Sequence, residues 1–185
     1  MVQLEEEFDL TVDWRGFELH PDTPRGGIEL SRLHPGSDRP DMAGYIQKFA
    51  ERFGVTGMVP TKRVPNTRRA LTVAEYARDQ GRLDAFRSAT MDAHFKEGRD
   101  IENDAVLRDL AVASGLDPDR ALGAADSAPY LSRIEAIRAE FKSLNVGGIP
   151  TFVFGTEAIE GCRVYEELEA AAVRSGARRR RLAGA

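Results

Sequence analysis

Val146 to Gly155 reads VGGIPTFVFG, and the fold turns on this stretch. Two glycines precede an Ile-Pro step, and Thr151–Phe154 then has the apolar, aromatic composition of a strand. A proline cannot donate to a sheet ladder, so Pro150 at the head of a strand is unusual. After the strand, Gly155-Thr156-Glu157 reads as a turn and Ala158–Glu160 as a second short strand. Gly161 leads into a helix over about 164–175.

Upstream, residues 10–19 (LTVDWRGFEL) read as a strand. Leu10, Val12 and Trp14 share one face, and Gly16 bulges where the phase changes toward Phe17 and Leu19. Val2–Phe8 reads as the end of a helix, 20–27 as a turn-rich loop, and the stretch to Pro40 as irregular. Helical patterns dominate from there. Asp41 caps a helix carrying Tyr45, Ile46, Phe49 and Phe53; 58–68 is a loop in which two prolines forbid a regular element. Thr72 and Glu75 form a capping box for a long helix to about Lys96, which Gly81 divides. Asn103 opens another helix that Gly115 stops, and Asp117-Pro118 opens a short one. The last of the block runs from about Pro129 to Leu144, with Leu131, Ile134, Phe141 and Leu144 inward. The order is strand, about five helices, two strands, helix, an α/β arrangement with helices around a small sheet.

The chain of 185 residues carries a net charge of −4, which makes no general case for nucleic acid or membrane binding. No apolar run approaches the roughly 20 residues a bilayer span needs, and the acidic N-terminus has no signal-peptide core. The single cysteine, Cys162, excludes an intrachain disulfide and points to a reducing, cytoplasmic setting.

Four segments in order, VDWRGFELHPDTP (12–24), PNTRRA (65–70), AHFKEGRDI (93–101) and GIPTFVF, resemble the DsbA-like thioredoxin family in its FrnE-type branch. The superfamily includes kappa-class glutathione transferases and 2-hydroxychromene-2-carboxylate isomerases. The resemblance implies a thioredoxin-like fold over 1–39 and 145–176 and an inserted helical domain over 40–144. The tail at 177–185, with its four arginines, is expected to be loose and basic. By resemblance, the Ile149–Pro150 bond is cis, a form that costs an X-Pro bond only about 0.5–1 kcal/mol. The main chain of Ile149 then turns outward to pair with an extended peptide or glutathione. Gly147 and Gly148 allow close approach, Asn66 and Thr67 form a polar wall, and Arg68 or Arg69 meets a carboxylate. The substrate-binding candidates are therefore Ile149, Pro150, Asn66 and Thr67, with Gly148 and Arg68 beside them.

The family's first strand, its Cys-x-x-Cys motif and the start of the following helix have no counterpart here, so no catalytic residue is expected in this chain. The implied function is thiol–disulfide exchange with the dithiol absent. Alternatives are a glutathione-dependent transferase or isomerase, and a non-catalytic peptide-binding remnant. No cofactor is implied beyond glutathione as co-substrate, and the expected partner is a thiol- or disulfide-bearing protein or glutathione. Without the first strand, 10–19 and 151–154 stand about 10 Å apart. Three outcomes are available: 10–19 shifts to pair with 151–154, a second copy supplies a strand in a homodimer, or the monomer is a poorly packed fragment of a longer chain; the dimer is favoured.

Other candidates read as structural. Cys162 reads as a small packing residue near the last helix, with a reactive thiol at that helix's mouth as the alternative. His20, His34 and His94 lack metal-ligand spacing, so no metal site is expected. Asn66 has a competing role as a helix cap, and Glu5–Glu7 form a solvated face.

Overall fold

The computed structural model describes residues 1–36 and 40–180. Two compact units make up the chain: Met1–Arg15 with Ala139–Ala185, and Gly16–Arg138. The first is built from both ends of the chain, the second from one continuous stretch.

In the continuous unit, β1 (Ile28–Glu29) pairs antiparallel with β2 (Arg63–Val64). Between them lie α2 (Leu30–Leu33) and α3 (Pro40–Glu51). Then follow α4 (Arg68–Asp79), α5 (Leu83–Phe95), α6 (Asp104–Ala113), α7 (Pro118–Ala125) and the start of α8 (Ala128–Ser143). The core joins Val73 and Ala77 of α4, Phe86 of α5, Leu107 and Ala111 of α6, and Ala121 and Ala125 of α7. Alanines at Ala70, Ala77, Ala121 and Ala125 keep side-chain bulk small where α4 and α7 pack.

Two caps hold as read from sequence. The Asn103 side chain accepts from the Ala105 amide at 2.8 Å, and that of Asp117 accepts from Asp119 and Arg120 with Pro118 in the first turn. Gly81, at φ 66°, separates α4 from α5. The Thr72–Glu75 capping box does not form. The cap of α4 lies five residues earlier, at Thr67, and the buried Thr72 hydroxyl is shared between the Arg69 carbonyl of its own helix at 2.7 Å and the Ala125 carbonyl of α7 at 2.8 Å, which links two helices instead. The loop read over 58–68 contains β2, because two residues suffice for this short pairing. Helix α3 begins at Pro40, ahead of the expected cap; the Asp41 side chain and residues 37–39 lie outside the described residues.

The strand expected at 10–19 is not one. Its alternation is real as burial: Leu10, Val12 and Trp14 are half-buried, while Thr11, Asp13 and Arg15 are exposed. Alternation reports which side faces the interior, not which backbone pairs. Among the described residues no strand pairs with this extended segment, and the Val12 amide donates to the Glu5 carboxylate at 3.1 Å. Nor does Gly16 make a bulge: a Cβ there would sit 2.5 Å from Cδ2 of Leu71, so the segment passes α4 where glycine fits best. The sideways shift of 10–19 onto 151–154 is accordingly not observed.

The other unit contains α1 (Val2–Glu7), β3 (Thr151–Phe154), β4 (Glu157–Glu160) and α9 (Tyr165–Arg174). Its core is Leu4, Phe8, Leu168 and Ala172, with Phe152 and Phe154 of β3 packed against it. The tail is not loose over 177–180. The Asp9 amide donates to the Arg178 carbonyl, and the Arg180 amide to that of Glu7, both at 2.8 Å. Arg179 pairs with Glu7 at 3.0 Å and with Glu169, and lies over the Phe8 ring at 4.9 Å. Of the Glu5–Glu7 face read as solvated, the Glu7 carboxylate is the one that meets Arg179. Residues 181–185 lie outside the described residues.

A candidate substrate-binding ledge

Helix α8 ends in a way that sets up the ledge. Asn145 takes φ 55°, the left-handed value common after a helix, and the Val146 amide returns to the Phe141 carbonyl at 3.0 Å. Gly147 to Pro150 then lead into β3. The Gly147 amide donates to Oε1 of Glu160 at 2.6 Å, and the Thr151 hydroxyl donates to the Gly148 carbonyl at 2.6 Å. The Gly161 amide donates to the Pro150 carbonyl at 2.7 Å. The Ile149–Pro150 peptide is cis.

Neither Gly147 nor Gly148 is required by its backbone. Both lack positive φ, and a Cβ on either would meet only the Glu160 carboxylate, at 3.7 and 3.8 Å.

The hairpin register decides which main-chain groups point outward. β3 and β4 pair as Thr151↔Glu160, Phe152↔Ile159, Val153↔Ala158 and Phe154↔Glu157. Gly155, at φ 60°, and Thr156 form the two-residue turn. Opposed residues in an antiparallel pair alternate between bonded and non-bonded. With Pro150 bonded to Gly161, the pairs at Phe152 and Phe154 are also bonded. The N–H and C=O of Thr151 and Val153 therefore face away from β4. Among the described residues no strand covers that edge, and the main-chain groups of Ile149 have no partner. Ile149 is 52% exposed and Val153 47%. An open strand edge of this kind is a template for an added extended chain.

The second set of candidates lies in the continuous unit. The Asn66 side chain accepts from the Arg68 amide at 3.0 Å and donates to the Thr23 carbonyl at 2.7 Å; its amide donates to Glu102 at 2.6 Å. It thus tethers the loop and caps α4. Thr67 is the residue before α4 and makes no side-chain cap bond. Nε and Nη2 of Arg68 each donate to Glu18 at 2.9 Å, and Nη2 also reaches Glu135 at 2.8 Å. Bonding to Glu18 pushes the Arg68 guanidinium still higher than usual. The structure gathers Gly148, Ile149 and Pro150 in one unit and Asn66, Thr67 and Arg68 in the other.

Sequence reading missed Glu160: a turn at Gly155-Thr156-Glu157 sets it opposite Phe152, whereas β4 already begins at Glu157 and the two-residue turn pairs Glu160 with Thr151. It missed Glu18 and Glu102 as well. The histidines, far apart in sequence, are not all apart in space: the rings of His20 and His34 meet edge to face at 5.8 Å.

The model of the DSBA-like thioredoxin domain matches residues 1–172. The chain belongs to the DSBA-like thioredoxin domain family.

No curated protein matches it. Solved structures do. A probable DsbA oxidoreductase from Streptomyces coelicolor is 24% identical, with a TM-score of 0.77 over 87% of this chain and 73% of its own. A 2-hydroxychromene-2-carboxylate isomerase is 19% identical, with a TM-score of 0.72 over 94% of this chain and 85% of its own. Both likenesses are of fold, and they agree with the α/β thioredoxin-like class and helical insert expected from the four segments. Among the described residues of this DSBA-like chain, no helix is long and apolar enough to cross a membrane.

The chemistry available to this DSBA-like domain is limited by its thiols. Cys162, half-buried and unpaired, is the one cysteine. One thiolate can form a mixed disulfide but cannot resolve it, since release needs a second thiol. What the ledge offers is main-chain pairing along Ile149, Thr151 and Val153.

Proposed function

We propose that this chain is the substrate-holding body of a DsbA-like thiol–disulfide exchange protein. The observation that carries the proposal is the main chain of Ile149, which has no partner among the described residues, at the head of a strand edge that none of them covers. A thiol- or disulfide-bearing polypeptide lies extended along that edge and pairs with Ile149, Thr151 and Val153, as in strand addition. The exchanging thiols come from outside these residues, because Cys162 alone cannot complete the cycle. A lone unpaired cysteine supports work in a reducing, cytoplasmic compartment.

The test is fluorescence anisotropy with a labelled extended peptide containing one cysteine. Methylating alternate backbone nitrogens of the peptide removes the donors that strand addition uses. Affinity should fall at least tenfold for one methylation phase and little for the other. Equal affinity for both phases defeats the proposal. Competition by glutathione at the same edge would redirect the reading to a glutathione-dependent transferase or isomerase.

A further inference from the structure

The hairpin that carries the ledge rests on a helix of six residues. Leu4 of α1 and its C-cap Phe8 are fully buried, and Phe152 and Phe154 of β3 pack against them. So short a helix does not persist alone, and α1 has no side-chain cap at its N-terminus. Its other end is held by Arg180. The Arg180 amide donates to the Glu7 carbonyl at 2.8 Å, and its Nε donates to the carbonyls of Glu5 at 3.0 Å and Phe8 at 2.9 Å. One residue thus meets three carbonyls that the end of a helix leaves unpaired. Arg179 adds a side-chain bond to Glu7 at 3.0 Å, a pair with Glu169 of α9, and a seat over the Phe8 ring. The segment leaves α9 through Gly176, at φ 94°, with the Ala177 amide returning to the Ala172 carbonyl at 3.0 Å.

We propose that residues 177–180 are a strap that governs the ledge. Closed, it holds α1 against β3; open, it frees α1, loosens β3 and lowers affinity for an extended peptide. The effect on binding rests on the strand-addition reading given above. The fastenings lie at the surface, with the side chains of Arg179 59% and Arg180 50% exposed. Exposed ion pairs hold weakly and are screened by salt. The strap therefore opens as a local unit, short of global unfolding. The core of the continuous unit shares no residue with the Leu4–Phe8 core, so Val73 and Leu107 stay packed when the strap opens. Arg180 is a positioning residue: it acts on the peptide through α1 and β3.

Amide hydrogen exchange on the full chain tests the strap without any ligand. Arg180→Ala should speed exchange roughly tenfold at Asp9, Phe152 and Phe154 while leaving Val73 and Leu107 unchanged. Arg179→Gln spares the three carbonyl bonds and should produce the same pattern to a smaller degree. In fluorescence anisotropy with the labelled cysteine-containing peptide, Arg180→Ala should bind several-fold more weakly than the wild type. Exchange that stays unchanged at Phe152 and Phe154, or that speeds equally at Val73 and Leu107, overturns the proposal. So does a peptide affinity that Arg180→Ala leaves intact. A wild type that takes no peptide at all defeats the strand-addition reading instead, and the exchange pattern then decides the strap by itself.

Discussion

Arg68 grips Glu18 through two parallel hydrogen bonds of 2.9 Å, and the Glu18 side chain is only 3% exposed. This bidentate pair ties the extended segment before residue 20 to the first turn of α4. A carboxylate so deeply buried depends on its partner, since an uncompensated buried charge costs far more than the pair gains.

The two arms of the Arg68 network should therefore differ sharply. Arg68→Ala strands Glu18 and should destabilise the protein by about 3–5 kcal/mol. Glu135→Ala removes a half-exposed partner and should cost no more than about 1 kcal/mol. Arg68→Lys should fall between, because an ammonium cannot reproduce the fork. Urea denaturation of the three variants measures the order.

Glu160 shapes the ledge from across the hairpin. Its carboxylate holds the Gly147 amide at 2.6 Å. Glu160→Ala should weaken binding of the extended peptide by roughly tenfold, about the worth of a charge-assisted hydrogen bond. Glu160→Gln keeps an acceptor and should lose less. Anisotropy titration of both variants reads the difference.

Cys162 is outside the proposed binding contacts. Cys162→Ser should leave peptide affinity unchanged, and neither form should reduce insulin above background, since one thiol cannot turn over. Turnover that survives in the serine variant would place the chemistry elsewhere.

His94 gives the fold a pH dependence. Burial holds its imidazole below the usual 6.5, opposed by bonding to the Arg99 backbone and by Asp100. The folded state thus prefers the neutral ring. Above pH 6.5 both states are neutral there and the contribution is complete. As pH falls below 6.5 the unfolded chain takes the proton first, and stability drops until the folded pKa is passed. His94→Gln should flatten the fall in denaturation midpoint between neutral and mildly acidic pH, and an unchanged slope would remove His94 as its cause.

Much of this was legible in the sequence because local chemistry fixed it. Asn103, Asp117-Pro118 and Gly81 each carry their own backbone reason, and the structure uses them so. The hairpin after Pro150 announced itself through Gly155 and two short apolar runs. What failed was any inference that needed a distant partner. Residues 10–19 alternate like a strand, but the alternation could not say that no strand lies beside them. Thr72 and Glu75 have capping-box spacing, yet Thr72 is drawn to a carbonyl 53 residues away. The ledge residues Ile149 and Pro150 were visible as a motif. The Glu160 clamp became visible only once the register was known.

Amide hydrogen exchange on the chain with saturating extended peptide tests the ledge most directly. The amides of Phe152 and Phe154 are already bonded within the hairpin and should change little. The amides that strand addition would cover are those of Ile149, Thr151 and Val153. The account predicts that protection rises at these three and is lost when the peptide backbone is methylated in the pairing phase. Bound peptide with no added protection at Ile149, Thr151 or Val153 would contradict it.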